Sequence, residues 1–74
     1  MSKLSFKGFC IEFYSEYKGM NSNDVYKLFE KEGILKMLDT NYEDLHGMSM
    51  EYLVRYIDEY LGEKYKWLYI MVRE

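Results

Sequence analysis

Ser49-Met-Glu-Tyr-Leu-Val-Arg-Tyr-Ile-Asp-Glu-Tyr-Leu61 is the stretch that decides the fold. Placed at about 100° per residue around a helix axis, Leu53, Val54, Ile57 and Leu61 form one apolar arc. Tyr52, Tyr56 and Tyr60 form a second arc beside it. The two together span roughly 200°, where a surface helix shows a stripe of roughly 100°. Glu51, Arg55, Asp58 and Glu59 take what remains. Ser49 suits an N-cap, Met48 and Leu53 suit a hydrophobic staple, and Glu51 in the first turn complements the helix dipole. The segment predicts a strong helix with more apolar and aromatic surface than one core face needs.

Upstream, Leu4 to Lys18 repeats the helical spacing. Phe6, Phe9, Cys10, Phe13, Tyr14 and Tyr17 fall on one face, and Ser5, Glu12, Ser15 and Glu16 on the other. Gly8 inside this helix suggests a close helix crossing. A second helix opens at Asn21, an N-cap, with Asp24 favouring the dipole and Met20 and Val25 as a staple. It continues through Leu28 and Phe29 to Glu32. A short third helix follows from Ile34 to about Leu38, and its apolar face is Ile34, Leu35 and Leu38. It ends in the polar corner Asp39-Thr-Asn41. There is no proline, and Gly19, Gly33, Gly47 and Gly62 each follow a helical segment, as left-handed C-terminal caps do. The segments between these glycines do not resemble one another, so they form no repeat.

The tail, Glu63 to Glu74, has two readings. If Gly62 ends the helix, Trp67-Leu-Tyr-Ile-Met-Val72 is a β-prone run that needs a second strand, such as one from another subunit. If the helix passes through Gly62, then Leu61, Tyr65, Leu68 and Val72 continue its stripe. The helical continuation is the one we favour.

With 74 residues the chain forms one domain, whose core supplies only a few kcal/mol of net stability (roughly 3–5 at this size). Cys10 is the single cysteine, so no internal disulfide is available, and one Cys with one His cannot build a Cys/His zinc site. Oligomerisation or a partner protein is the remaining support. The lone cysteine fits a reducing compartment. Acidic residues outnumber basic ones 13 to 10, the net charge is −3, and no Lys/Arg cluster occurs. This weighs against nucleic acid and anionic membranes. The N-terminus has no apolar signal region, and the longest apolar run, Trp67 to Val72, is far short of a span. The expected location is the cytoplasm.

Individual candidate sites have ordinary explanations. His46 suits a general base or a pH switch, yet a loop histidine bonded locally accounts for it. Cys10 sits among Phe6, Phe9, Phe13 and Tyr14, where a buried and inert thiol is expected. Asp39, Glu43, Asp44 and His46 match no metal loop and read as a solvated acidic corner. No phosphate loop, Ser/His/Asp set or dinucleotide fingerprint is present, so no catalytic residue, cofactor, metal or small-molecule substrate is expected. The anomaly is nine tyrosines. Tyr offers wide contact area with a polar tip at low entropic cost. We read Tyr14 and Tyr17 as the rim of the core. Tyr52, Tyr56 and Tyr60, followed by Trp67 and Tyr69, are the candidate partner-binding residues.

Several spaced elements resemble a small bacterial family of all-helical domains of unknown function. They are Phe9 to Glu12 (Phe-Cys-Ile-Glu), Val25 to Phe29 (Val-Tyr-x-Leu-Phe), Gly33, Tyr42 to His46 (Tyr-x-x-Leu-His) and Glu51 to Tyr60. The resemblance covers about residues 6 to 61 and leaves an aromatic tail, 62–74. It implies an all-helical domain of this length, often encoded beside an ADP-ribosyltransferase-like protein in an arrangement like that of a toxin and its accessory or antitoxin. It carries over no catalytic residue.

The expectation is therefore an all-α domain over residues 1–74, a small bundle of about four helices with a C-terminal segment that is helical or a strand. Its expected work is protein–protein interaction, with a protein partner or as a homo-oligomer such as a homodimer. The alternative is a helix-turn-helix-like transcriptional regulator built on the Gly33 turn, although the segment Ile34 to Leu38 carries a single lysine.

Overall fold

Phe6, Cys10 and Tyr14 recur at every fourth position of the first helix, and all three are buried. They set the architecture. The computed structural model describes the backbone of residues 2–73 and the side chains through Gly62. Five helices follow one another: α1 (Lys3–Lys18), α2 (Ser22–Lys31), α3 (Ile34–Thr40), α4 (Tyr42–Leu45) and α5 (Met50–Arg73). There is no strand among the described residues. α1 is the central element, packing against α2, α3 and α5, while α2 continues onto α3 and α3 onto α4.

Local chemistry sets most of the boundaries. The Ser2 hydroxyl accepts from the Ser5 N–H at 3.1 Å and caps α1. At the other end Gly19 takes φ 66°. There the Met20 N–H donates to the Ser15 carbonyl at 2.8 Å and the Gly19 N–H to that of Glu16 at 3.3 Å, a Schellman closure. The Asn21 side chain accepts from the Asn23 N–H at 2.7 Å, as its N-cap reading requires. The Ser49 hydroxyl likewise accepts from the Tyr52 N–H at 3.1 Å and opens α5. Gly33 (φ 76°) makes the turn from α2 into α3.

The core is one cluster. To the three residues of α1 it adds Val25, Phe29, Ile34, Leu38, Leu45, Leu53, Val54, Ile57 and Leu61. Tyr14 packs its ring on Phe29 at 5.3 Å between centroids, and Phe6 meets Tyr42 edge-on at 5.4 Å. Leu53, Val54, Ile57 and Leu61 are the arc that the sequence assigns to the core, and all four are buried.

The favoured helical reading of the tail holds, and three other expectations need correction. The helix does not stop at Gly62. α5 passes through it to Arg73, so the tail is helical and the strand reading falls. A lone glycine costs a helix about 1 kcal/mol, which good formers such as Leu61, Glu63 and Lys64 offset. Gly19 and Gly33 alone among the described glycines have positive φ, so Gly47 and Gly62 are not left-handed caps. The third helix runs on to Thr40. Asn41 then interrupts the chain, its amide donating to the Met37 carbonyl at 3.1 Å, and the single turn α4 makes a fifth helix of the expected loop. Gly8 marks no close crossing, because a Cβ there would meet nothing within 4 Å.

Candidate functional site

The buried face of α1 is not the aromatic face that its spacing suggests. Ser15, expected on the polar side, is buried, with its hydroxyl donating to the Glu12 carbonyl at 2.8 Å. Phe9, Phe13 and Tyr17, expected toward the core, are 45%, 45% and 51% exposed. On a wheel of about 100° per residue the buried face is turned by roughly 70° from the aromatic arc. α2, α3 and α5 all pack on α1, and Tyr14 meets both Phe29 of α2 and Asp58 of α5, so the face carrying Phe6, Cys10 and Tyr14 is the one that is covered.

A polar node fixes α1 on α5. The Tyr14 hydroxyl donates to Asp58 Oδ1 at 2.9 Å, and Lys18 Nζ lies 3.2 Å from the same oxygen. Burial, then the hydrogen bond to Asp58 and its charge, push the Tyr14 phenol well above its ordinary range. A second ion pair, Lys7 Nζ to Asp39 Oδ2 at 3.1 Å, ties α1 to α3. Among the described residues no buried side-chain nitrogen or oxygen lacks a partner.

On one flank of α5 lie the tyrosines singled out in the sequence. Tyr52 is 49% exposed and Tyr60 38% exposed, while Tyr56 is half-buried against the core. Tyr52 and Tyr56 stack with centroids 6.1 Å apart and an interplanar angle of 11°. With Arg55 and Glu59 they line a depression of about 160 Å³. Trp67 and Tyr69 belong to the backbone of the same helix, but their side chains lie outside the described residues.

On the opposite flank the rotated face of α1 leaves a larger trough of about 390 Å³ against α5. Phe13, Tyr17, Met50 and Val54 form its floor and walls, with Glu16 and Glu51 at its edges. Sequence reasoning missed this site because Phe13 and Tyr17 share the helical spacing of the buried residues. A third depression of about 230 Å³ lies beside Leu4, Lys7, Gly8, Ile11, Tyr26 and Leu35.

The remaining candidates are placed as follows. His46 is exposed, stacks on Tyr42 at 4.6 Å between centroids, and its Nδ1 lies 2.9 Å from the Tyr42 carbonyl. A carbonyl can only accept, so Nδ1 carries the proton there. Cys10 is fully buried, and burial pushes its thiol up to about 12. Asp39 turns to Lys7, away from a shared site with Glu43, Asp44 and His46. Among the described residues no three His, Cys, Asp or Glu side chains converge as metal ligands would. No helix in them is long and apolar enough to cross a membrane.

Comparison with curated proteins returns no match, and no solved structure matches either. Residues 5–64, most of the helical domain described above, match the model of the family described as "Protein of unknown function (DUF3791)", and the chain belongs to that family.

Proposed function

We propose that this domain is a protein–protein interaction module, an accessory or antitoxin-like subunit that works through the tyrosine flank of α5. The observation that carries the reading is the stacked pair Tyr52 and Tyr56, continued by Tyr60, in a domain whose core is filled without Tyr52 and Tyr60. Stacking restricts the Tyr52 ring before any partner arrives, so little rotamer entropy remains to be lost on binding. The rings supply apolar area, and their hydroxyls, with Arg55 and Glu59, supply directional polar contacts. Trp67 and Tyr69, whose side chains lie outside the described residues, add nothing to the support for this reading. The partner is a protein or a second copy of this chain, and the resemblance makes an ADP-ribosyltransferase-like protein the first candidate. The reading assigns the domain no catalysis, no cofactor, and no nucleic acid or membrane as partner.

A helix-turn-helix regulator has less support. α3 is seven residues long, buries Ile34 and Leu38, and offers Lys36 as its one cation.

The test is Tyr52→Ser with Tyr60→Ser, both at exposed positions. The pair should keep the helical circular dichroism and melting behaviour of the parent while losing the co-purifying partner or the dimer. A variant that unfolds would place these tyrosines in the core and remove the support for the reading.

A further inference from the structure

We propose that the trough between α1 and α5 is a second docking site, and that its occupant is a basic amphipathic helix of a protein partner. The inference goes beyond the tyrosine flank, since the two surfaces lie on opposite sides of α5 and share no residue. Three observations combine.

The floor is apolar and unfilled. Phe13 and Tyr17 stand 45% and 51% exposed over Met50 and Val54, and Phe9 extends the row one turn further along α1. The shape suits a helix. A trough bounded by two helices receives the side-chain ridge of a third, and the row Phe9, Phe13, Tyr17 runs about 12 Å along α1, enough for anchors spaced i, i+4 and i+7.

The charge then selects the occupant. Glu16 of α1 and Glu51 of α5 both line the trough, and exposed Glu12 lies one turn before Glu16. Lys18, at the end of α1, is held by Asp58. A second copy of the chain would bring its own glutamates against these and be repelled. A helix with Leu-type anchors flanked by Lys or Arg is attracted, and its guanidinium groups can also lie over the exposed rings.

Two labelled helical peptides of equal length and leucine content test the proposal by fluorescence anisotropy on the full chain. One has Lys and Arg beside its leucine stripe, and the other has Glu at the same places. The basic peptide should bind, more tightly at low salt, and the acidic one should not. Phe13→Ser should weaken the basic peptide roughly tenfold. Glu16→Lys with Glu51→Lys, changes at exposed positions, should weaken the basic peptide and admit the acidic one. Tyr52→Ser should change neither result. Equal binding of both peptides, binding of neither, or binding that Phe13→Ser leaves unchanged overturns the proposal. A dimer in light scattering that Phe13→Ser dissolves overturns it in favour of a second copy. Loss of the basic peptide in Tyr52→Ser alone overturns it while leaving the tyrosine-flank reading intact.

Discussion

Tyr14→Phe isolates one interaction and keeps the rest of the residue. The ring is buried and rests on Phe29, contacts that phenylalanine keeps. What is lost is the hydroxyl that donates to Asp58 Oδ1 at 2.9 Å. A hydrogen bond to a charged acceptor contributes about 1.5–3 kcal/mol. Two features lower the figure here. Asp58 keeps Lys18 at 3.2 Å, and its side chain is 33% exposed, so water can replace part of the lost donor. The expected loss is therefore about 1–1.5 kcal/mol. In a domain of this size each kcal/mol moves the melting temperature by about 4–8 °C, so Tm should fall by about 5–10 °C. Circular dichroism melts on a double-mutant cycle with Asp58→Ala, which leaves the Tyr14 hydroxyl no acceptor there, provide the assay. The two substitutions should be coupled by about 1 kcal/mol, because each removes the same bond. Lys18→Met is the control, and as one side of an exposed pair it should cost no more than about 1 kcal/mol. Strictly additive effects of Tyr14→Phe and Asp58→Ala would show that the bond does not hold α1 to α5, and the reasoning would fail.

The glycines separate into two kinds. Gly62→Ala, inside α5 with nothing within 4 Å of the new methyl, should stabilise by about 0.5–1 kcal/mol, whereas Gly33→Ala at φ 76° should destabilise by about 1–2 kcal/mol. A melt showing Gly62→Ala destabilising would mean that α5 breaks there. Stability should also fall at alkaline pH. The folded Cys10 thiol is raised from 9.0 to about 12, so the unfolded chain ionises first and the contribution is lost as pH rises from about 9 toward 12. The slope is about 1.4 kcal/mol per pH unit at most for this group, and Tyr14, shifted the same way, steepens it at higher pH. Denaturant midpoints across that range should decline less steeply in Cys10→Ala, and an unchanged slope would contradict the burial argument. Ile57→Ala empties a fully buried site of α5 and should cost about 2–5 kcal/mol, close to the whole stability of so small a domain. A variant that still melts cooperatively near the parent temperature would show that α5 is not integral to the core.

Features that depend on neighbours in sequence were legible in the chain, and those that depend on neighbours in space were not. Ser49, Asn21, Gly19 and Gly33 act through bonds to residues at most four positions away, so their cap and turn roles could be read directly. The Leu53, Val54, Ile57 and Leu61 arc was also readable, because one helical period separates core from surface. α1 offered no such contrast. Its apolar residues cover more of the helix than is buried, and only the placement of α2, α3 and α5 decides that Phe6, Cys10 and Tyr14 turn inward while Phe9, Phe13 and Tyr17 stay out. The trough inherits this limit, since its walls come from two helices distant in sequence. The tyrosine flank was visible as a pattern, whereas the half-burial of Tyr56 and its stacking on Tyr52 became visible only in three dimensions. Asn41 looked like the end of a helix and is an interruption, because Leu45 just beyond it finds a place in the core.

The node that joins Tyr14 to Asp58 links residues 44 positions apart. At roughly 5–20 residues per second, ribosomal synthesis leaves about 2–9 s between the two. Through that interval α1 can form but has no α5 to lie on. Phe6, Tyr14 and the Cys10 thiol, which the folded domain buries, then lack the cover that α5 completes. Chaperone engagement and oxidation of Cys10 should therefore concentrate in that window of biogenesis and subside once α5 docks.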